Sequence, residues 1–150
     1  MKLVIGSDHG GFATKEEIRK ALLREGYDVT DFGCYSDEAV DYPDVALLVA
    51  EAVARRDFDR GILLDGTGGG VTMAANKVPG IRAVLAYSEM TGRYASEHDD
   101  ANILCLGGRM LGAGVALEVA RVWLKTPFGG DRHLRRLSKV QMIERKYARA

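Results

Sequence analysis

Asp65 stands where an apolar run, Leu63-Leu64, breaks into the turn Gly66-Thr67-Gly68-Gly69-Gly70. A strand-to-helix turn of this kind presents backbone N–H groups and a helix start, which together favour an anion. A carboxylate beside such a turn suits proton abstraction next to a developing oxyanion. Three histidines are the other candidate proton carriers: His9 in Gly6-Ser7-Asp8-His9-Gly10-Gly11, His98 in Glu97-His98-Asp99-Asp100, and His133 near the end of the chain. Arginines suited to phosphate gather in the last 20 residues, among them Arg132 and Arg136.

The elements that must position these groups alternate along the chain. Strands are expected at Leu3–Ile5, Tyr27–Phe32, Gly61–Leu64, Ile81–Ala86 and Ile103–Leu106. Apolar residues at helical spacing place helices from about Thr14 to a stop at Gly26 and over Asp44–Arg56, with further helices at Val71–Lys77, Ser88–His98 and about Ala113–Leu124. Alternation of strand and helix predicts an α/β fold with a parallel sheet covered on both faces and ligands at the carboxyl ends of the strands. His9 and Asp65 both follow strands and so share that rim. His98 precedes the fifth strand, which puts it on the opposite side of its own chain.

Composition bounds the rest. One domain is expected for 150 residues, and the balance of 21 basic against 21 acidic residues gives no reason to expect nucleic acid or an anionic membrane as partner. No run has the length of a membrane span and the N-terminus enters a strand directly, so a cytoplasmic protein is expected. Cys34 and Cys105 have no metal or redox spacing and read as buried thiols. From Gly66 and Gly68 the dinucleotide pattern Gly-x-Gly-x-x-Gly would need glycine at position 71, where the chain has Val71. Asp8, His9 and Asp65 lack a diagnostic metal spacing. Neither a metal nor a cofactor is expected. After Thr126-Pro127-Phe128-Gly129-Gly130 a basic helix with apolar Leu134, Leu137, Val140 and Ile143 begins, and the glycine linker suggests that it leaves its own domain for a second subunit.

Taken together, Gly6-Ser7-Asp8-His9-Gly10-Gly11-Phe12, Asp41-Tyr42-Pro43, Gly66-Thr67-Gly68, Ala74-Ala75-Asn76-Lys77-Val78-Pro79-Gly80-Ile81-Arg82-Ala83, Glu97-His98 and Arg132-His133 strongly resemble the ribose-5-phosphate isomerase B family, which includes galactose-6-phosphate isomerase subunits. The resemblance runs from Met1 to about Ile143. It implies a Rossmann-like three-layer sandwich with a five-stranded sheet, whose terminal helix, about residues 132–148, packs on a partner. It also implies a metal-free aldose–ketose isomerase, a homodimer or homotetramer with active sites shared between subunits. His98 would open the sugar ring. Asp8, His9 and Tyr42 would meet the substrate, while Thr67 and the amides of Gly66, Gly68, Gly69 and Gly70 would hold an enediolate. Arg132 and Arg136, in an Arg-His-x-x-Arg arrangement that includes His133, resemble a phosphate clamp, with Arg109 as a further member.

Two positions depart from the family pattern. Many members carry a catalytic Cys where this chain has Asp65, and another branch uses a Glu where it has Val71. Asp65 is therefore expected to be the base itself, with its pKa raised by burial. Asp99 replaces the usual Asn and, when ionised, can only accept a hydrogen bond from substrate. These changes put ribose 5-phosphate in question more than the reaction class, and tetrose or hexose phosphates come into view. The competing expectation is a sugar-phosphate binder without activity, or an inactive subunit of a heteromeric isomerase.

Overall fold

Leucine and β-branched residues dominate five short runs, and these form the strands. The computed structural model describes residues 1–149. Strand β1 spans Lys2–Ser7, β2 Asp28–Asp31, β3 Arg60–Asp65, β4 Ala83–Leu85 and β5 Ile103–Gly107. After their first residues β1 and β3 are buried throughout, and so is all of β5. Such runs do not alternate in polarity because both faces of the sheet are covered. All pairings are parallel, in the order β2-β1-β3-β5-β4.

Among the described residues six α-helices cover the sheet or flank it: α1 (Phe12–Arg24), α2 (Tyr42–Ala54), α3 (Gly69–Ala75), α4 (Glu89–Glu97), α5 (Ala113–Lys125) and α6 (Asp131–Tyr147). Leu3, Ile5, Ile62, Leu64, Leu104 and Leu106 pack with Ile18, Ala95 and Trp123, so α1, α4 and α5 share one face. Val4, Leu63, Ile103 and Cys105 point the other way, toward Val49 of α2 and Val71 of α3. This is the two-residue alternation of a strand serving two cores. The expected Rossmann-like three-layer sandwich is what the chain forms.

Local chemistry accounts for several element ends. Ser88 and Thr91 form a reciprocal capping box at the start of α4. Gly26, at φ 91°, ends α1 in the left-handed conformation. Helix α2 starts at Tyr42, earlier than its apolar stripe suggested, because Pro43 fits the first helical turn and Asp44 complements its dipole. Strand β4 starts later than expected, as the Arg82 N–H is taken by the Asn102 side chain at 2.8 Å.

Helix α6 rests on its own chain at two places. Glu144 accepts a hydrogen bond from the Gly80 N–H at 2.9 Å, and the His133 ring stacks on His98. Leu134, Leu137 and Val140 line a groove against Gly80–Arg82 and Asp100. Of these only Leu137 is half-buried; Leu134, Val140, Met142 and Ile143 are all exposed. No helix among the described residues is long and apolar enough to cross a membrane.

Candidate active site

Three loops meet at the carboxyl rim of the sheet. Ser7 is in register with Leu64, and Asp65 with Gly107, so the residues after β1, β3 and β5 emerge side by side. Asp8 is buried; its N–H bonds the Leu64 carbonyl at 3.1 Å, and its carboxylate accepts from the Gly10 N–H at 2.8 Å. A Cβ on Gly10 would lie 3.0 Å from the Gly66 nitrogen, so the first loop touches the glycine turn directly. From the third loop, Gly108 and Arg109 donate backbone N–H groups to the carbonyls of Asp65 and Gly66, at 2.8 and 2.9 Å. The Arg109 side chain lies over Gly66 and is exposed.

Asp65 is only 5% exposed. One carboxylate oxygen accepts the Gly68 N–H, and the other accepts the Val71 N–H at 3.2 Å. The candidate base thus also caps α3, a role made possible by Gly68 at φ 87°, where a Cβ would strike Leu85. Burial pushes the Asp65 carboxyl above the usual carboxylate range, against the opposing pull of the Gly68, Val71 and Thr67 amides. The nearby Asp8 charge adds to the upward shift. Across Gly70 stands Tyr42: a Cβ there would be 2.7 Å from Asp65 Oδ2 and 2.8 Å from the Tyr42 ring.

Not every amide of the cradle that the resemblance implies is free. Asp65 already holds the N–H groups of Gly68 and Val71, and the Thr67 hydroxyl accepts that of Gly69 at 3.1 Å. The amides of Gly66 and Gly70 have no acceptor among the described residues. A sequence sign of the capping role existed: an Asp three residues before Gly68, at the head of a helix. The link between His9 and the segment after β2 had none; there the Val40 N–H donates to His9 Nδ1 at 3.2 Å.

A second set of candidates gathers at the opposite end of the sheet. His98 follows α4 and precedes β5, and its ring is sandwiched between Tyr94 at 4.1 Å and His133 at 4.2 Å, tilted by 14° and 15°. Its Nε2 lies 3.6 Å from Glu97 Oε1. His133 is buried, which holds its imidazole below the usual value; His98, Arg132 and Arg136 depress it further. Asp99, Arg132 and Arg136 are exposed beside this stack. One chain therefore brings Asp8, His9, Tyr42, Asp65, the glycine turn and Arg109 to one rim, and His98, Asp99, Arg132, His133 and Arg136 to the other. Cys34 and Cys105 are buried and free, as expected, and burial pushes the Cys105 thiol to about 12.

Residues 3–140 match the family model described as Ribose/Galactose Isomerase. The chain belongs to that family. The enzyme class implied by the motifs, an aldose–ketose isomerase, stands with it. The structure of ribose-5-phosphate isomerase B from Clostridium thermocellum superposes with a TM-score of 0.97 at 51% identity, over 99% of this chain and 100% of that one. The enzyme of the same name from Mycoplasma genitalium, determined with bound ribulose-5-phosphate, gives 0.92 at 43% identity, over 97% of each chain. Ribose-5-phosphate isomerase B of Escherichia coli is 40% identical over 145 residues, 97% of both chains.

Proposed function

We propose that this protein interconverts a phosphorylated aldose and its ketose, ribose 5-phosphate and ribulose 5-phosphate or a tetrose or hexose analogue, at a site completed by a second copy of the chain. The observation that carries this reading is the buried Asp65 at the sheet rim. Its charged form is disfavoured by burial, and it lies close to Asp8 and Tyr42. A carboxylate so placed is a stronger base than an exposed one. Each of its oxygens accepts one amide and keeps a further lone pair for a proton.

Asp65 takes the proton from C2 of the open-chain aldose and returns it to C1. The hydroxyl proton moves from O2 to O1, so C1=O becomes an alcohol and C2 becomes the carbonyl. The cis-enediolate between these states carries its charge on oxygen, where Thr67 and the amides of Gly66 and Gly70 supply donors. Hydrogen moves as a proton within one molecule, so the reaction needs no redox partner. From the second copy, His98 transfers the proton that opens the sugar ring, and Arg132 and Arg136 hold the phosphate, with Arg109 nearby on the first copy. The exposed apolar residues of α6 would be covered in the same association.

The capping bonds of Asp65 favour a second reading, in which the carboxylate is structural and the protein binds a sugar phosphate without turning it over. NMR of four- to six-carbon sugar phosphates incubated with the protein in D₂O separates the two. Isomerisation with deuterium entering at C1 or C2 is the expected result. Shifts on binding with no exchange for any sugar would contradict the catalytic reading.

A further inference from the structure

Lys15 has no exposed surface, although it ends in an ammonium group. It lies on the buried stripe of α1, one turn before Ile18, where an apolar side chain would serve the fold at no desolvation cost. The charge is instead fully matched. Its three N–H groups face Asp31 Oδ1 at 2.8 Å, Asp31 Oδ2 at 2.7 Å and the Cys34 carbonyl at 2.7 Å, with Glu16 Oε1 at 3.2 Å. The rings of Phe12 and Tyr35 stand 5.2 and 5.6 Å from the nitrogen.

These bonds grip one short piece of chain. Asp31 Oδ1 also accepts from the Gly33 N–H at 2.8 Å. Ser7, the residue before Asp8, donates to the Gly33 carbonyl and accepts from the Cys34 N–H, both at 2.7 Å. Gly33 and Cys34 are thus held between the end of β1 and the Lys15 ammonium. From there the chain runs to Asp41 without a helix or strand of its own. Along this stretch Val40 donates to His9 Nδ1, which fixes the ring plane and places the proton of the neutral ring on Nε2. It then delivers Tyr42 to its place across Gly70 from Asp65.

We infer that Lys15 is a positioning residue: its buried ammonium sets the course of residues 33–41 and, through them, the orientation of His9 and Tyr42 toward the substrate. It does not touch the substrate. This inference rests on the reading that His9 and Tyr42 face the sugar.

The test is the double variant K15M/D31N, which removes the buried charge and the carboxylate it would leave unpaired. Thermal melting reports the fold, steady-state kinetics report KM and kcat, and ¹⁵N NMR of the His9 imidazole reports its tautomer independently of turnover. A folded double variant is expected to raise KM about tenfold with a smaller change in kcat, and to move the His9 nitrogens toward a mixture of tautomers. A folded variant with KM and the His9 signals both unchanged would overturn the inference. If the double variant does not fold, D31N alone applies, since Lys15 then keeps Cys34 and Glu16. It should shift the same signals by less, and unchanged values there overturn the inference equally. Should the wild type prove inactive on every sugar, the His9 spectrum still decides whether Lys15 sets that ring.

Discussion

Asp65 and His98 lie at opposite ends of the β3–β5 strand pair: Asp65 is in register with Gly107, the last residue of β5, while His98 comes before Ile103, its first. At ~3.3 Å per residue, β5 alone separates the two ends by about 13 Å. Groups that exchange protons with one small sugar must all come within hydrogen-bond reach of it. Under the proposed reading, two chains related by a two-fold axis would satisfy that requirement, each lending its His98 end to the other's Asp65 rim.

If Asp65 is the base, D65N should lower kcat by about 10²–10⁴-fold. Asn still accepts the Gly68 amide but cannot accept that of Val71, so the loss of stability should be about 1–3 kcal/mol. D65C, which carries the thiol usual in the family, should keep more activity than D65N. Turnover in D65N within a few-fold of wild type, in a sample whose melting curve is intact, removes Asp65 from the base role.

The pH profile follows from the direction of the Asp65 shift. A base must be deprotonated to act, so activity should fall as pH drops through a value above the ordinary 3.8 of a carboxylate. In D65C that acid limb should move up toward the thiol value of about 8.5. Stability carries the opposite sign. The folded state binds the Asp65 proton more tightly than the unfolded state, so this group's contribution to stability declines as pH rises from 3.8 to its raised value. An acid limb at the same pH in wild type and D65C would reject the assignment.

The order of the elements was legible because buried parallel strands and amphipathic helices have different apolar periods, and they alternate without a break here. The two-ended placement of Asp65 and His98 also followed from topology alone. The capping of α3 by Asp65 was legible in part, from an Asp three residues before Gly68; its bond to Val71 was hidden because it spans six residues and depends on the left-handed Gly68. The stacking of His133 on His98 was hidden because apolar spacing on α6 does not say where that helix folds back. Lys15 was readable in principle: a lysine three residues before Ile18 sits on the stripe formed with Ala21 and Leu22.

Ring opening and proton transfer are separable by choice of substrate. An aldotetrose 4-phosphate has no free hydroxyl with which to close a furanose ring, whereas ribose 5-phosphate is cyclic in solution. H98N should therefore slow the pentose reaction far more than the tetrose reaction, provided both are substrates. Equal slowing on both would place His98 in the isomerisation step instead.

The shared site is tested most directly by mixing two inactive parents, D65N and the double variant H98N/R136A, under conditions that exchange subunits. Each mixed pair would hold one site with all three changes and one with none. Random pairing of equal amounts makes half of the dimers mixed, so roughly a quarter of wild-type activity should appear. Activity in the mixture no greater than that of the parents, with mixed pairs verified by mass spectrometry, would contradict a site built from two chains.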